Sequence, residues 1–443
     1  MATTIGATIL RSDRPDGPGG TVGVTRFSEA RGWLARGGAS IADQAMLAGA
    51  NFVVSLLLAR WLPPARYGAF ALAYSVFTLF GVFHTSVFAE PMLVFGAGRY
   101  SGRFGRYVGI LTLGHFVVMA PVCLLLLGAS VLLGHLYSVE VQRALAALAV
   151  SGPFILLLWL LKRAFYVGLK PGWALAGSAS YLALLLGSFF LLRAAGRVSP
   201  ASAILAMGWS GLPAAALLLR GLRPQWRDGG LHAREVIAGH WRYSRWAVGS
   251  AALGWVPANL YFTLLPLWAG LEGVASLRAL TNLVLPVGNS ITALSLLLVP
   301  LLARHRGEGR ARLARTMGIF LALFLAGAGL YYVGLVSFRG DVLHVVYGGR
   351  YDSAAPLVPL VGLLPFTSGF AAVWGAALRV LERPDRVFWS SLVSSAVTLG
   401  AGIYLARRLA EAGALWGLLV SSVAGALMLG LLYRNLSRRM ELP

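Results

Sequence analysis

Three sets of polar residues stand inside otherwise apolar runs at spacings that put each set on one helical face. Gln44, Asn51 and Ser55 are seven and four residues apart, within roughly 40° of one another around a helix axis. Arg278, Asn282, Asn289 and Thr292 follow steps of four, seven and three, and Asn259 and Thr263 sit four apart beside Pro257. Amides and hydroxyls so arranged either face water or bond a neighbouring helix. A guanidinium among them asks for more: water, a carboxylate or an anionic ligand. Two readings stay open for Arg278, a cation offered to an anionic cargo or a side chain snorkelling to the near interface. Asn51, Ser55, Asn259, Arg278, Asn282 and Asn289 are the candidate cavity residues.

Carboxylates are the second group. Glu90-Pro91 falls near the end of the apolar run VFAEPMLVFGAGRY, Val87 to Tyr100, and Asp43 opens the first run. From Gly68, about 22 residues at roughly 1.5 Å each carry Glu90 to the same end of its helix as Asp43 and as Lys162 and Arg163, which close the fourth run. Glu90 there either pairs with Lys162, Arg163 or Arg99, stays hydrated, or takes and releases a proton during a cycle. Asp43 and Glu90 are the ion-coupling or gate candidates, and His84 and His115 would extend such a relay if they do more than pack.

The elements that position these residues are membrane spans. The 443 residues are 58% hydrophobic and 12% charged, with mean hydropathy +0.73, whereas soluble domains carry about 25% charged residues. Apolar runs recur near 41–62, 68–95, 107–134, 144–168, 173–192, 199–220, 247–270, 273–303, 314–337, 353–378, 387–406 and 412–433, each long enough to cross a hydrocarbon layer of roughly 30 Å. This implies an all-α polytopic membrane protein of about twelve helices. The net charge of +22 resides mostly between the runs, which argues against nucleic acid as a partner. With an even number of spans, 28 of the 38 Lys and Arg fall on the side of the termini, so both termini are expected in the cytoplasm.

An internal repeat underlies the spans. Ala50-Asn51-Phe52 and Ser55-Leu56-Leu57 return as Ala258-Asn259-Leu260 and Thr263-Leu264-Leu265; Pro91, Arg103, Arg106, Gly109 and Ile110 return as Pro300, Arg312, Arg315, Gly318 and Ile319; Lys170-Pro171 returns as Arg383-Pro384. Glu90 meets Val299, so the proline suits the shared fold and the carboxylate belongs to the first half alone. A duplicated unit of six helices enters the membrane twice from one side and encloses a central cavity between two lobes. The expected division is a cytoplasmic arm at 1–40 ending in a short amphipathic helix, a six-helix lobe at 41–220, a linker at 221–246 and a second lobe at 247–443.

Several chemistries are missing. The single cysteine, Cys123, lies in an apolar run; no phosphate-binding G-x-x-x-x-G-K-[ST] loop occurs, the Gly96-Ala97-Gly98 run lacks the third glycine of a dinucleotide loop, and the seven histidines are scattered. No cofactor, metal site or catalytic group is expected, and the short outer loops speak against an enzyme.

Asp43-Gln44 through Gly49-Ala50-Asn51-Phe52, then Leu57-Leu58-Ala59-Arg60-Trp61-Leu62, Tyr67-Gly68, Leu72-Ala73 and Glu90-Pro91-Met92-Leu93 with Gly96 resemble the opening of Wzx-type polysaccharide-unit flippases of the multidrug/oligosaccharidyl-lipid/polysaccharide superfamily. The likeness is clearest over residues 40–110. It implies a two-lobed, multi-pass protein of the bacterial inner membrane that alternates its opening and carries an undecaprenyl-pyrophosphate-linked oligosaccharide to the outer leaflet. Arg278, Lys162 and Arg163 would meet the pyrophosphate or acidic sugars, and Asp43 or Glu90 would couple an ion gradient. Partners would be the lipid-linked cargo, membrane lipids and the glycosyltransferases or polymerase of polysaccharide synthesis. Relatives often have fourteen spans, so this chain departs in its C-terminal region. A multidrug antiporter of the same superfamily and a membrane polymerase or ligase are the alternatives.

Overall fold

The computed structural model describes residues 22–227, 230–306 and 308–439, with side chains from residue 37 onward; residues 1–21 of the expected arm lie outside them. Proline and serine set many of the helix starts. Pro64, Pro171, Pro200 and Pro266 each occupy a first-turn position, where a missing N–H costs nothing. Ser138 caps one helix by accepting from Val141 N at 3.3 Å, and Ser199 with Ser202 forms a reciprocal cap on another.

The spans are α1 (Val22–Trp61), α2 (Pro64–Ala97), α3 (Phe104–Leu136), α4 (Val139–Val167), α5 (Pro171–Ala194), α6 (Pro200–Leu222), α7 (Ala233–Leu264), α8 (Pro266–Arg306) and α9 (Arg310–Ser337). A short α10 (Arg339–Tyr347) follows, then α11 (Leu364–Val380), α12 (384–409) and α13 (411–439). Among the described residues no strand occurs. Ten stretches are long and apolar enough to cross a membrane. The last of them, Asp385–Arg438, is two helices, because Ala410 takes φ 52 and ψ −131 and reverses the chain. With α7, which is 32 residues long but less apolar, the spans number twelve.

Two expectations shift at their edges. Residues 27–36, expected as a separate short helix, continue α1 without a break. Within the expected linker 221–246, the described residues 223–227 and 230–232 are irregular and α7 begins at Ala233. The charges read as loop are spent on contacts: Arg99 pairs with Glu235 at 2.8 Å, and Arg103 and Arg106 donate to Gly230 O and Trp226 O. Gln225 N donates to Gly105 O at 3.0 Å, so the connector lies pinned across the start of α3.

The duplication is visible in backbone detail. Leu169 and Glu382 take φ 54 and 59, and the next residues, Lys170 and Arg383, donate to Phe165 O at 2.9 Å and Leu378 O at 3.0 Å. The same turn therefore precedes α5 and its counterpart α12.

Charge distinguishes the two ends of the bundle. Connections after α2, α4, α6, α8 and α11 share the arginine-rich, basic face; those after α1, α3, α5, α7, α9 and α12 lie on the opposite face. α4 is the most buried span, with 72% of its apolar window inside the protein. It packs on α2, α3, α5 and α6, while α8 packs on α7, α9, α11 and α13. α2 crosses from the first half to touch both α7 and α8. A Cβ at Gly68, near the start of α2, would lie 1.8 Å from Leu271 O of α8, so only glycine lets the backbones meet. Gly68→Ala is expected to cost about 1–3 kcal/mol by overpacking, read as a lower melting temperature in detergent; an unchanged temperature would mean the helices part freely.

Candidate functional site

On the opposite face, side chains of both halves close on one another. Ser55 Oγ and Tyr67 OH lie 2.8 Å apart, and Asn282 Nδ2 donates toward both at 2.9 Å. All three are buried, at 2%, 0% and 0% exposure. Tyr351 packs edge-on against Tyr67, Tyr347 donates to Ala279 O at 2.8 Å, and Arg350 Nε donates to Arg60 O at 3.0 Å. This knot seals α1, α2 and α8 together.

Beside the seal lies a cavity of about 820 Å³ whose walls come from α7, α8, α11, α12 and α13. Asn259, Arg278, Thr281, Asn289, Thr292 and Ser295 line it, and no carboxylate is among its lining residues. The spacing along α8 follows from helical period, so one face of a single helix supplies most of the polar wall. Arg278 stands at the sealed end. Its guanidinium lies 4.9 Å from the Tyr74 ring centroid and 5.5 Å from that of Phe262, and Nε is buried without a hydrogen-bond partner. It forms no ion pair among the described residues. Arg278 is therefore held by aromatic faces beside open space, and does not snorkel away from the bundle.

Asn259 does double duty, for its Oδ1 also accepts from Thr78 Oγ1 at 3.1 Å across the α2–α7 seam. Ser55 and Asn282 do not line this cavity, because the knot consumes them. Asn51 is half-buried on α1 and stands outside the lining as well.

Asp43 and Lys162 come together, but inside the first half. Lys162 Nζ lies 2.8 Å from Asp43 Oδ1, with side-chain exposures of 5% and 0%. Ser178 donates to Oδ1 and Tyr166 to Oδ2, each at 2.6 Å, and Lys162 donates to Ser178 at 2.6 Å. Both carboxylate oxygens are satisfied, so the pair welds α1 to α4 and α5 and offers no cation to the cavity. Arg163 is half-buried beside it without an ion pair.

Glu90 departs from the expected pairing. Lys162 is taken by Asp43 and Arg99 by Glu235, and Glu90 is exposed without an ion pair to any of the three expected bases. It follows a π-helical turn, Thr85–Ala89, that widens α2 by one residue. On that turn Val87 O accepts from His240 Nδ1 of α7 at 2.9 Å, while His240 Nε2 meets Tyr107 OH at 2.7 Å. His84 and His115 do meet, at 2.9 Å, and His115 Nε2 donates to Pro153 O at 3.1 Å. The pair is internal to the first half.

Sequence reasoning missed Arg379, which lines the cavity but was counted as a loop charge at the end of its span, and missed the aromatic walls Tyr74 and Phe262. Helical spacing alone would have placed Thr281 and Ser295 on the Arg278 face.

No family model matches the sequence, and no curated protein matches it. Solved structures do. An inward-facing MATE-family multidrug resistance transporter of the MOP superfamily matches with TM-score 0.74 at 12% identity, over 88% of this chain and 94% of its own. The lipid II flippase MurJ in an inward closed conformation matches with TM-score 0.74 at 12% identity, over 90% and 87%. An outward-facing MATE-family transporter matches with TM-score 0.62 at 12% identity, over 91% and 94%. The chain shares the fold of these structures, a multi-pass membrane bundle of two lobes.

Removing one member of the buried pair leaves an uncompensated charge. Lys162→Met alone is expected to cost about 3–5 kcal/mol, and Lys162→Met with Asp43→Asn much less. Thermal unfolding in detergent of the two singles and the double checks this; equal losses in all three would refute the coupling.

Proposed function

We propose that the protein is a flippase that moves an undecaprenyl-pyrophosphate-linked oligosaccharide from the cytoplasmic to the outer leaflet in polysaccharide biosynthesis. The observation that carries this reading is Arg278: an unpaired guanidinium at the closed end of a cavity whose lining holds no carboxylate. A diphosphate supplies the charge that such a cation lacks, through charge-assisted hydrogen bonds that the present geometry leaves open. Hydroxyls and amides along α8 suit the sugars. The basic face is then cytoplasmic, in the bacterial inner membrane, with both termini on that side.

Alternating access gives the opposite-face knot its task. Closed, it holds an inward state, in keeping with the stronger likeness to the inward-facing neighbour, at TM-score 0.74 against 0.62 for the outward-facing one. Opening outward requires Asn282 to release Ser55 and Tyr67. Coupling falls to Glu90, which is exposed near Tyr243 of α7 on the seam between halves, because Asp43 is already bound to Lys162, Ser178 and Tyr166. The protein acts without catalysis; enzymes that assemble or polymerise the repeat unit stand before and after it.

A multidrug antiporter is the second reading, since the fold serves that activity in the neighbours. An organic cation needs an acidic or purely aromatic wall, and a free guanidinium repels it. A polymerase or ligase would need reactive groups clustered on an outer loop, which the short connections do not provide.

Translocation of a labelled prenyl-diphosphate oligosaccharide in proteoliposomes tests the proposal. Arg278→Ala is expected to lower the initial rate at least tenfold, or about 1.4 kcal/mol, and Glu90→Gln to abolish acceleration by an imposed proton gradient. Wild-type protein that moves organic cations and leaves the glycan lipid in place would establish the antiporter.

A further inference from the structure

The cavity carries a second cation whose place in the fold gives it a separate role. Arg379 lines the same space as Arg278, and no other charged residue does. It lies at the C-terminal end of α11, where Ala377 and Val380 pack with Leu298 and Leu302 of α8. Counted along α8, the lining runs from Arg278 to Val299, 21 steps and so roughly 30 Å at about 1.5 Å each. The two guanidiniums therefore mark the two ends of one polar path, Arg278 at the seal and Arg379 at the basic face.

Arg379 is exposed and has no carboxylate partner among the described residues. The adjacent charges settle with one another, for Arg383 binds Asp385 through two contacts of 2.9 Å and Arg386 stands 3.4 Å from the same carboxylate. Asp385 thus answers the turn cations and leaves Arg379 to the cavity.

What lies between the two ends carries no charge and offers an anion few donors. Thr292 donates to Gly288 O at 2.9 Å, Ser295 to Ile291 O at 2.6 Å, Ser368 to Leu364 O at 3.1 Å and Ser394 to Ser421 O at 3.0 Å. These hydroxyls have spent their protons on backbone carbonyls, and only lone pairs remain toward the space. These four hydroxyls accept from sugar hydroxyls and have no proton left for a phosphate oxygen. The charged donors are the two arginines; the amides of Asn259 and Asn289 and the Ser422 hydroxyl are neutral ones. A diphosphate is only a few bond lengths long and cannot touch both arginines at once.

We propose that Arg379 is a second anion-binding site, at the mouth of the cavity, that takes the phosphate-type headgroup of the cargo before Arg278 does. The transported lipid then passes through two stations, each with a single guanidinium, separated by a stretch that holds sugars and releases phosphate. The source of the anion rests on the flippase reading; the existence of the second site does not.

The test uses the full chain in detergent with inorganic pyrophosphate as the probe, followed by titration calorimetry against an Arg383→Gln control outside the cavity. Wild type and the control are expected to bind two equivalents, and Arg278→Gln and Arg379→Gln one each. Arg379→Lys is expected to restore the second equivalent with weaker affinity, which separates charge from folding. Two equivalents retained by Arg379→Gln, or fewer than two in wild type, would overturn the site. In a competition arm, a short-chain prenyl-diphosphate disaccharide is expected to displace pyrophosphate from Arg379 at least tenfold better than phosphatidylglycerol at equal mole fraction. Displacement by phosphatidylglycerol alone would assign the site to bilayer headgroups and overturn the cargo role. Two pyrophosphate sites in a protein that moves no glycan lipid would sink the flippase reading while leaving the second site standing.

Discussion

A polar atom placed in hydrocarbon must find its partner within the protein, because lipid offers none and an unmet group costs several kcal/mol. That constraint orders this structure. Asp43, Lys162, Ser178 and Tyr166 satisfy one another inside the first half. Ser55, Tyr67 and Asn282 bond one another across the halves, and His84 bonds His115, which bonds Pro153 O. Each set joins helices that apolar packing alone would leave free to slide. Arg278 stands apart from these sets: its Nε is buried without a partner, and its guanidinium lies on the cavity without an ion pair among the described residues.

The duplicated halves have divided their labour along this line. The first half is a block around α4, with Asp43, His84 and His115 turned inward. The cavity beside Arg278 is lined by the second half. α2 joins them, meeting α7 through Trp255 and Asn259 and meeting α8 at Gly68 and Tyr67. A movement that opens one face must therefore pivot about α2, whose contacts run nearly the length of the bundle.

Much of this was legible in the residues. Apolar runs and prolines located twelve spans, and the Asn, Pro and Arg matches revealed a repeat that the twin turns at Leu169 and Glu382 express in backbone angles. The stripe on α8 lines the cavity because helical period is a local property. What could not be read was partnership. Asn282 shares a face with Arg278 by count, yet it points to Ser55 and Tyr67, and Lys162 found Asp43 some 119 positions earlier in the chain. Which polar residue meets which depends on how helices pack, and no spacing within one helix encodes that. Charge at a span end misled for the same reason, since Arg379 and the start of α7 read as loop until their neighbours were in place.

The wide turn at Thr85–Ala89 carries a consequence for how the helix addresses its surroundings. One surplus residue rotates everything after it by about 100° relative to a regular helix. Up to His84, α2 packs on α4, α7 and α8; from Glu90 onward it packs mainly on α4, and α7 reads the displaced carbonyl of Val87 through His240. The corresponding stretch of α8 is regular helix. A single residue thus works as a phase adjuster that breaks the equivalence of two copied units, giving one ancestral helix two azimuths and leaving its twin with one.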